Sequence, residues 1–139
     1  MQLYMVKCSV TYQGELHCAL GHGPSGAQVS TDAPVDNHGK GESFSPTDLM
    51  CAATGACMST IMGIYAQEHA LDLRGMRVEV GKEMSANPRR IARITVDIHV
   101  PLPSDTPHRA ALEQCATGSP AMHSLHPDIE VPITWHWEG

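Results

Sequence analysis

The chain has 139 residues, 42% hydrophobic and 17% charged, with two Trp, three Tyr and one Phe and a net charge of −6. That length fits one domain, able to bury roughly two-thirds of its unfolded surface. The acidic balance argues against nucleic acid and anionic membrane, both of which attract basic patches.

Residues 4–11 (YMVKCSVT) alternate in part and read as a first strand. Gln13-Gly14 supplies a turn before a second strand over 16–20. A weaker third strand covers 27–31, after the Gly-Pro-Ser-Gly punctuation. Residues 32–45 (DAPVDNHGKGESFS) form a polar loop too rich in glycine for regular structure. Long loops inside small domains are often functional.

Ser45-Pro46-Thr47-Asp48 marks a helix start. Ser45 suits the N-cap, Pro46 the first helical position, and Asp48 can close a capping box. The helix is expected to reach about residue 70, roughly 37 Å at 1.5 Å per residue. Residues 49–66 (LMCAATGACMSTIMGIYA) carry no charge and have a nominal membrane-spanning length. Half of them are Ala, Gly, Ser or Thr, however, and no basic cluster flanks either end. Apolar on every face, the segment is expected to be a core helix enclosed by other elements rather than a membrane span. Gly55, followed by Ala56, points to a kink or a very close neighbour.

Beyond residue 73 the period changes. Residues 76–80 and 91–100 alternate apolar and polar, with Asn87-Pro88 between them, as in an antiparallel hairpin with one wet face. Pro101-Leu102-Pro103-Ser104 ends the hairpin, and Ser104 or Asp105 is expected to cap a second helix through about residue 116. A Gly-Ser-Pro break follows, then a last alternating strand over 129–137. The order βββ-α-ββ-α-β is that of an α+β domain covering 1–139, with two helices packed on antiparallel sheet.

Five cysteines, Cys8, Cys18, Cys51, Cys57 and Cys115, are odd in number, scattered and without C-x-x-C spacing. They support neither a disulfide scaffold nor a zinc or thioredoxin-like motif. The first residues lack the apolar core and cleavage site of a signal peptide, so a reducing cytoplasm with free thiols is expected. Cys57 is the candidate for chemistry. Gly55 and Ala56 open space beside its sulfur, Ser59 and Thr60 offer hydrogen bonds, and a kink at Gly55 would free N–H groups that favour the thiolate. The plain alternative is packing, since a free cysteine usually behaves as a small hydrophobe. Cys51 lies about 240° around the helix and roughly 9 Å along it from Cys57, so it cannot bond to Cys57 without unfolding that turn and reads as packing.

The nine histidines form no HExxH or Cys/His cluster. His123 and His126 have i, i+3 spacing, but His17, His99 and His136 fall at alternating strand positions where wet-face groups belong, so no metal is expected. Residues 21–26 (GHGPSG) lead into a strand and lack the lysine of a phosphate loop, so they read as a turn. No cofactor is expected.

Residues 30–62 (STDAPVDNHGKGESFSPTDLMCAATGACMSTIM) resemble the OsmC/Ohr family of thiol-dependent hydroperoxide reductases. The likeness rests on Asp32 and Pro34, the glycine-bearing loop, Ser45-Pro46, Asp48, and an alanine-rich helix ending in Gly-x-Cys. The segment 119–131 (SPAMHSLHPDIEV) is similar to the family's Cys-Pro-Val segment ahead of a leucine and the last strand. The order of elements agrees as well.

This resemblance implies an OsmC-like fold in an intertwined homodimer, with two active sites at the subunit interface. It implies that Cys57 attacks an organic hydroperoxide and becomes a sulfenic acid, which a second cysteine resolves as a disulfide reopened by a dithiol. Aligning Pro120 and Leu125 puts Ser119 at the resolving position, and serine cannot form that disulfide. Cys115, four residues upstream, is the available substitute. The family's activating arginine has no counterpart, because no Arg precedes Arg74 and only Lys7 and Lys40 are basic ahead of Cys57. A lysine activates a thiolate less well than an arginine–carboxylate pair. Thr47 stands where the peroxidase branches place a glutamate; Asp48, one residue on, matches other branches and equally suits the capping box.

Three expectations result. The first is a one-cysteine peroxidase, with Cys57 and Asp48 catalytic, an organic hydroperoxide as substrate and an external thiol as reductant. The second is a relative that reduces no peroxide and binds a small apolar or thiol-containing molecule at the subunit interface. The third is a purely structural homodimeric domain.

Overall fold

Gly14, Glu15 and Leu16 all have positive φ (+87°, 53° and 62°), and together they reverse the chain between β1 (Cys8–Tyr12) and β2 (His17–His22). Only glycine takes such values freely, so the turn signal at Gln13-Gly14 has a physical basis. β3 (Gln28–Asp32) completes an antiparallel sheet of order β1-β2-β3. These strands belong to the first of two units in the computed structural model, Met1–Leu49 and Met50–Gly139; residues 4–139 are described. β1 begins at Cys8 rather than at residue 4, because β2 ends at His22 and Gly23-Pro24 turns away after a last bond from Gly23 N–H to the Lys7 carbonyl.

The register pairs Cys8 with His22, Val10 with Leu20 and Tyr12 with Cys18, and Leu20 in turn with Val29. Side chains alternate along a strand, so these residues share one face and Ser9, Thr11, His17, Ser30 and Asp32 share the other. Val10, Tyr12 and Val29 on the apolar face are exposed, and no apolar side chain of this unit is fully buried among the described residues.

The loop after β3 contains one piece of regular structure, a 3-10 turn over Val35–Asn37. The Pro34 carbonyl accepts from the N–H groups of both Asn37 and Gly39. A Cβ on Gly39 would lie 1.7 Å from the Ala33 carbonyl oxygen, so this turn admits only glycine there.

α1 (Pro46–Glu68) starts at the end of the first unit and continues into the second. By length and composition alone it could cross a membrane. Its residues Met58 and Met62 join a core with Ile94, Val96, Ile98 and Val100 of β5 (Arg90–Val100) and Leu112 and Ala116 of α2 (Arg109–Thr117). β4 (Arg77–Ser85) pairs with β5 as the expected hairpin, longer than its sequence pattern indicates. Ala92 is skipped in that pairing, Met84 facing Ile91 and Glu83 facing Arg93. This bulge lets Ile91 and Ile94, an odd step apart, both reach the core.

Three expectations are corrected here. The second sheet has order β4-β5-β6, and β6 (Ile133–Trp137) runs parallel to β5, not antiparallel. A parallel pair needs a crossover, which α2 and a third helix, α3 (Pro120–Ser124), supply. α2 starts at Arg109 rather than at Ser104 or Asp105, since Thr106 precedes Pro107 and is biased away from helical geometry. β6 starts four residues late because Pro132 has no N–H for the ladder; upstream only an isolated Arg93–Glu130 bridge forms.

Candidate active site

The N-terminus of α1 has the reciprocal bonds that its sequence implies. Asp48 N–H donates to Ser45 Oγ and Ser45 N–H donates to Asp48 Oδ2, each at 3.0 Å. Two of the first turn's open donors are thereby satisfied. Asp48, the candidate carboxylate, is thus engaged in holding the helix start. The hydroxyl of Thr47 lies 3.3 Å from that of Ser45.

Further along, α1 is helical without a break through Gly55, so no kink frees N–H groups beside Cys57. The close neighbour is there instead. A Cβ on Gly55 would meet Val80 Cγ1 at 3.1 Å and Val78 Cγ1 at 3.2 Å. α1 therefore lies against β4 at the turn that carries Cys57.

Cys51, one face around, is buried in the core, whereas Cys57 is half-buried. Met50, Ala53, Thr60 and Ile64 flank Cys57 at three- and four-residue spacing, and all four are exposed. They make an exposed strip with the thiol at its centre, small at Ala53 and Thr60 beside it and large at Met50 and Ile64 beyond. The hydroxyls offered to the sulfur by sequence are spent elsewhere. Ser59 donates to the Gly55 carbonyl at 2.9 Å and Thr60 to the Ala56 carbonyl at 2.8 Å. Such back-bonding to the previous turn is the ordinary competitor for a helical hydroxyl.

Ser119 occupies the N-cap position of α3, followed by Pro120, yet its side chain caps nothing. It is 0% exposed, and its Oγ has no hydrogen-bond partner. Cys115 is half-buried on α2. Burial pushes its thiol above the usual range, and the carboxylate of Glu68 adds to this. Glu68 lies about three turns, or roughly 16 Å, along α1 from Cys57. Cys57 and Cys115 are both free thiols.

A cavity of about 470 Å³ opens along another flank of α1, lined by Ser59, Gly63 and Gln67 with Leu71, Leu73 and Met76. At its rim Arg74 grips Asp72 through Nε and Nη2, which holds the Asp72 carboxyl down to about 2. Among the described residues no three His, Cys, Asp or Glu side chains converge in a way that could hold a metal ion.

In the first unit the structure pairs two residues that the sequence did not join. His17 Nδ1 and Asp32 Oδ1 are 2.5 Å apart across β2 and β3, and Asp32 Oδ2 accepts from Glu42 N–H at 3.0 Å. The bond with His17 holds Asp32 below the usual carboxylate range, against partial burial, and the Glu42 N–H adds to it. Lys40 bonds Glu15 at 2.9 Å, so the loop is fastened at both sides. Strand register was the signal that could have revealed the first pair, and a single sequence does not fix register.

A family model described as OsmC-like protein matches residues 39–134. An osmotic stress induced and detoxification response protein from Psychrobacter arcticus is 39% identical, with 97% of this chain and 98% of that chain covered and a TM-score of 0.91. An organic hydroperoxide resistance protein OsmC from Legionella pneumophila has a TM-score of 0.78 at 14% identity, covering 98% and 99% of the two chains. A third, an organic hydroperoxide resistance protein from Vibrio cholerae with captopril bound in one of its active sites, has a TM-score of 0.74 at 17% identity, over 97% and 93%. A comparison with curated proteins found no match.

Proposed function

The chain belongs to the OsmC-like protein family, and from that membership we propose that it is a thiol-dependent peroxidase acting through Cys57. The observation that carries this reading is the contrast between the two cysteines of α1. Cys51 is locked in the core, while Cys57 is half-buried at the centre of an exposed strip. A nucleophilic thiol must be reachable, and only the thiolate reacts.

The cycle follows from the thiols available. The Cys57 thiolate attacks the distal oxygen of an organic hydroperoxide, the O–O bond breaks, and the alkoxide leaves and takes a proton as the alcohol. Cys57 is then a sulfenic acid. An external thiol condenses with it, releasing water and forming a mixed disulfide, and a second external thiol displaces Cys57 as free thiol. Ser119 cannot take the resolving role, so the reductant must come from outside the Cys57–Ser119 pair.

The proposal includes a homodimer in the cytoplasm. Among the described residues the first unit fully buries no apolar side chain and turns Val10, Tyr12 and Val29 outward. Separately, within the second unit, Met50 and Ile64 are exposed on the helix face that carries Cys57. Exposed apolar side chains of this kind mark an interaction face on each unit. A second copy covering the helix face around Cys57 would exclude water from the thiol.

A second reading is favoured by Ser119 itself. A buried hydroxyl where the family's second thiol would stand suits a protein that binds a small thiol-containing molecule rather than one that turns over peroxide, and the Vibrio cholerae relative holds captopril. Stopped-flow oxidation with cumene hydroperoxide, followed by dimedone trapping and mass spectrometry, separates the two. A sulfenic adduct at Cys57, formed far faster than glutathione reacts, is expected. Oxidation no faster than that of glutathione would sink the peroxidase reading.

A further inference from the structure

The α1–α2 junction gathers three titratable rings that the thiol chemistry does not use. Tyr65, near the end of α1, has its hydroxyl 2.8 Å from Nδ1 of His108, the residue just before α2. His69 stacks on the Tyr65 ring at a centroid distance of 3.9 Å and an interplanar angle of 20°. Its Nδ1–H donates to the Tyr65 carbonyl at 2.9 Å, which fixes that stack. His108 meets both rings edge-on, at 5.7 Å from Tyr65 and 5.4 Å from His69.

A phenol loses an electron far more readily when its proton has somewhere to go in the same step. With His108 neutral and protonated on Nε2, the Tyr65 O–H donates to Nδ1, and that nitrogen is a proton acceptor already in position. The stacked imidazole of His69 lies over the ring that would carry the unpaired electron. Among the described tyrosines only Tyr65 has an imidazole at its oxygen; Tyr12 accepts a bond from the Leu16 N–H.

We propose that Tyr65 and His108 form a one-electron site that quenches organic peroxyl radicals. The phenol gives one electron to the peroxyl radical, and its proton passes to Nδ1 of His108. Tyr65 is left as a neutral phenoxyl radical beside an imidazolium. The peroxyl radical becomes an alkylperoxide anion and takes a proton from water, giving a hydroperoxide and a hydroxide ion that balances the imidazolium. The site therefore works upstream of a hydroperoxide-consuming reaction and needs no thiol for its own step.

The test exposes the full chain to a small dose of peroxyl radicals from a water-soluble azo initiator, with a nitroso spin trap and mass-spectrometric mapping of the adducts. Exposure alone would favour Tyr4, 83% exposed, and Tyr12, 63% exposed. The expected result is that Tyr65 carries most of the label despite being half-buried. His108→Ala should lower it at least about fivefold, the scale of one lost neutral hydrogen bond, and added imidazole should restore it. Labelling that follows exposure, that falls first on Trp135 or Trp137, or that ignores His108→Ala would overturn the proposal. The imidazole rescue separates a proton-accepting role from a packing one.

Discussion

Gly55 and Val80 pack so closely that a Cβ at position 55 would stand 3.1 Å from Val80 Cγ1, and the valine would have to give by a few tenths of an ångström to admit it. Alanine gains about 1 kcal/mol of helix propensity over glycine, while overpacking a fitted contact costs about 1–3 kcal/mol. Gly55→Ala is therefore expected to lower stability by about 1 kcal/mol. Gly63, on the same helix, has nothing within 4 Å of its missing Cβ, and Gly63→Ala should gain about 0.5–1 kcal/mol. Urea midpoints at unchanged slope check both signs.

Ser119 gives a prediction against the usual direction for a cap. Its hydroxyl is buried, unpartnered and caps no helix, so its removal forfeits no bond. An unsatisfied buried polar group costs about 1–3 kcal/mol, and Ser119→Ala should raise stability by about 1 kcal/mol. A loss of stability on this substitution would mean that the hydroxyl has a partner in solution.

Ser45 and Asp48 act as a reciprocal pair, and their substitutions should be coupled. Ser45→Ala and Asp48→Ala are each expected to cost about 1 kcal/mol, and the double variant less than the sum, because both bonds are already lost. If Asp48 serves the chemistry as well, Asp48→Ala lowers the rate of Cys57 oxidation where Ser45→Ala does not.

Asp32 links stability to acid. Its folded carboxyl is held below the ordinary value, so its contribution is complete above the unfolded value near pH ~4 and disappears as pH falls through the lower folded one. Denaturation midpoints should fall on acidification below about pH 4, and Asp32→Asn should flatten that fall. An unchanged slope in the variant would show that other carboxyls carry the acid sensitivity.

Cys115 should be slow to alkylate. Its thiol is pushed above the ordinary range by burial first and then by Glu68. Iodoacetamide at about pH 8 should modify it more slowly than a free cysteine, and Glu68→Gln should narrow the gap. Peptide mapping after timed quenching reads the rate.

Where the sequence could be read, a residue's chemistry acted on its near neighbours. Ser45-Pro46-Thr47-Asp48 marks the start of α1 because capping needs only four adjacent residues, and Cys57 stands out through its residue type and its flanking Gly-Ala. The parallel sense of β6 was hidden, since strands alternate in the same way whichever direction the partner runs. Ala92 was hidden because a bulge is defined by the strand opposite. The hydroxyls of Ser59 and Thr60 turn away from the sulfur for a local reason: carbonyls one turn back compete for them and win. His17 and Asp32 meet through register alone, and Tyr65 and His108 meet only once two helices have packed.

The parallel pairing of β5 and β6 fixes an order of events in synthesis. β4 and β5 are neighbours in sequence and can zip as soon as both have been made. β6 is the last strand, and it reaches β5 only after α2 and α3 have carried the chain back across. Until residues 133–137 leave the ribosome, one edge of β5 has no strand beside it. Pairings across long separations form slowly, and bare strand edges invite association with other chains. A nascent chain halted before Ile133 would expose that edge, so the five residues of β6 act as the closing seal on a half-built sheet.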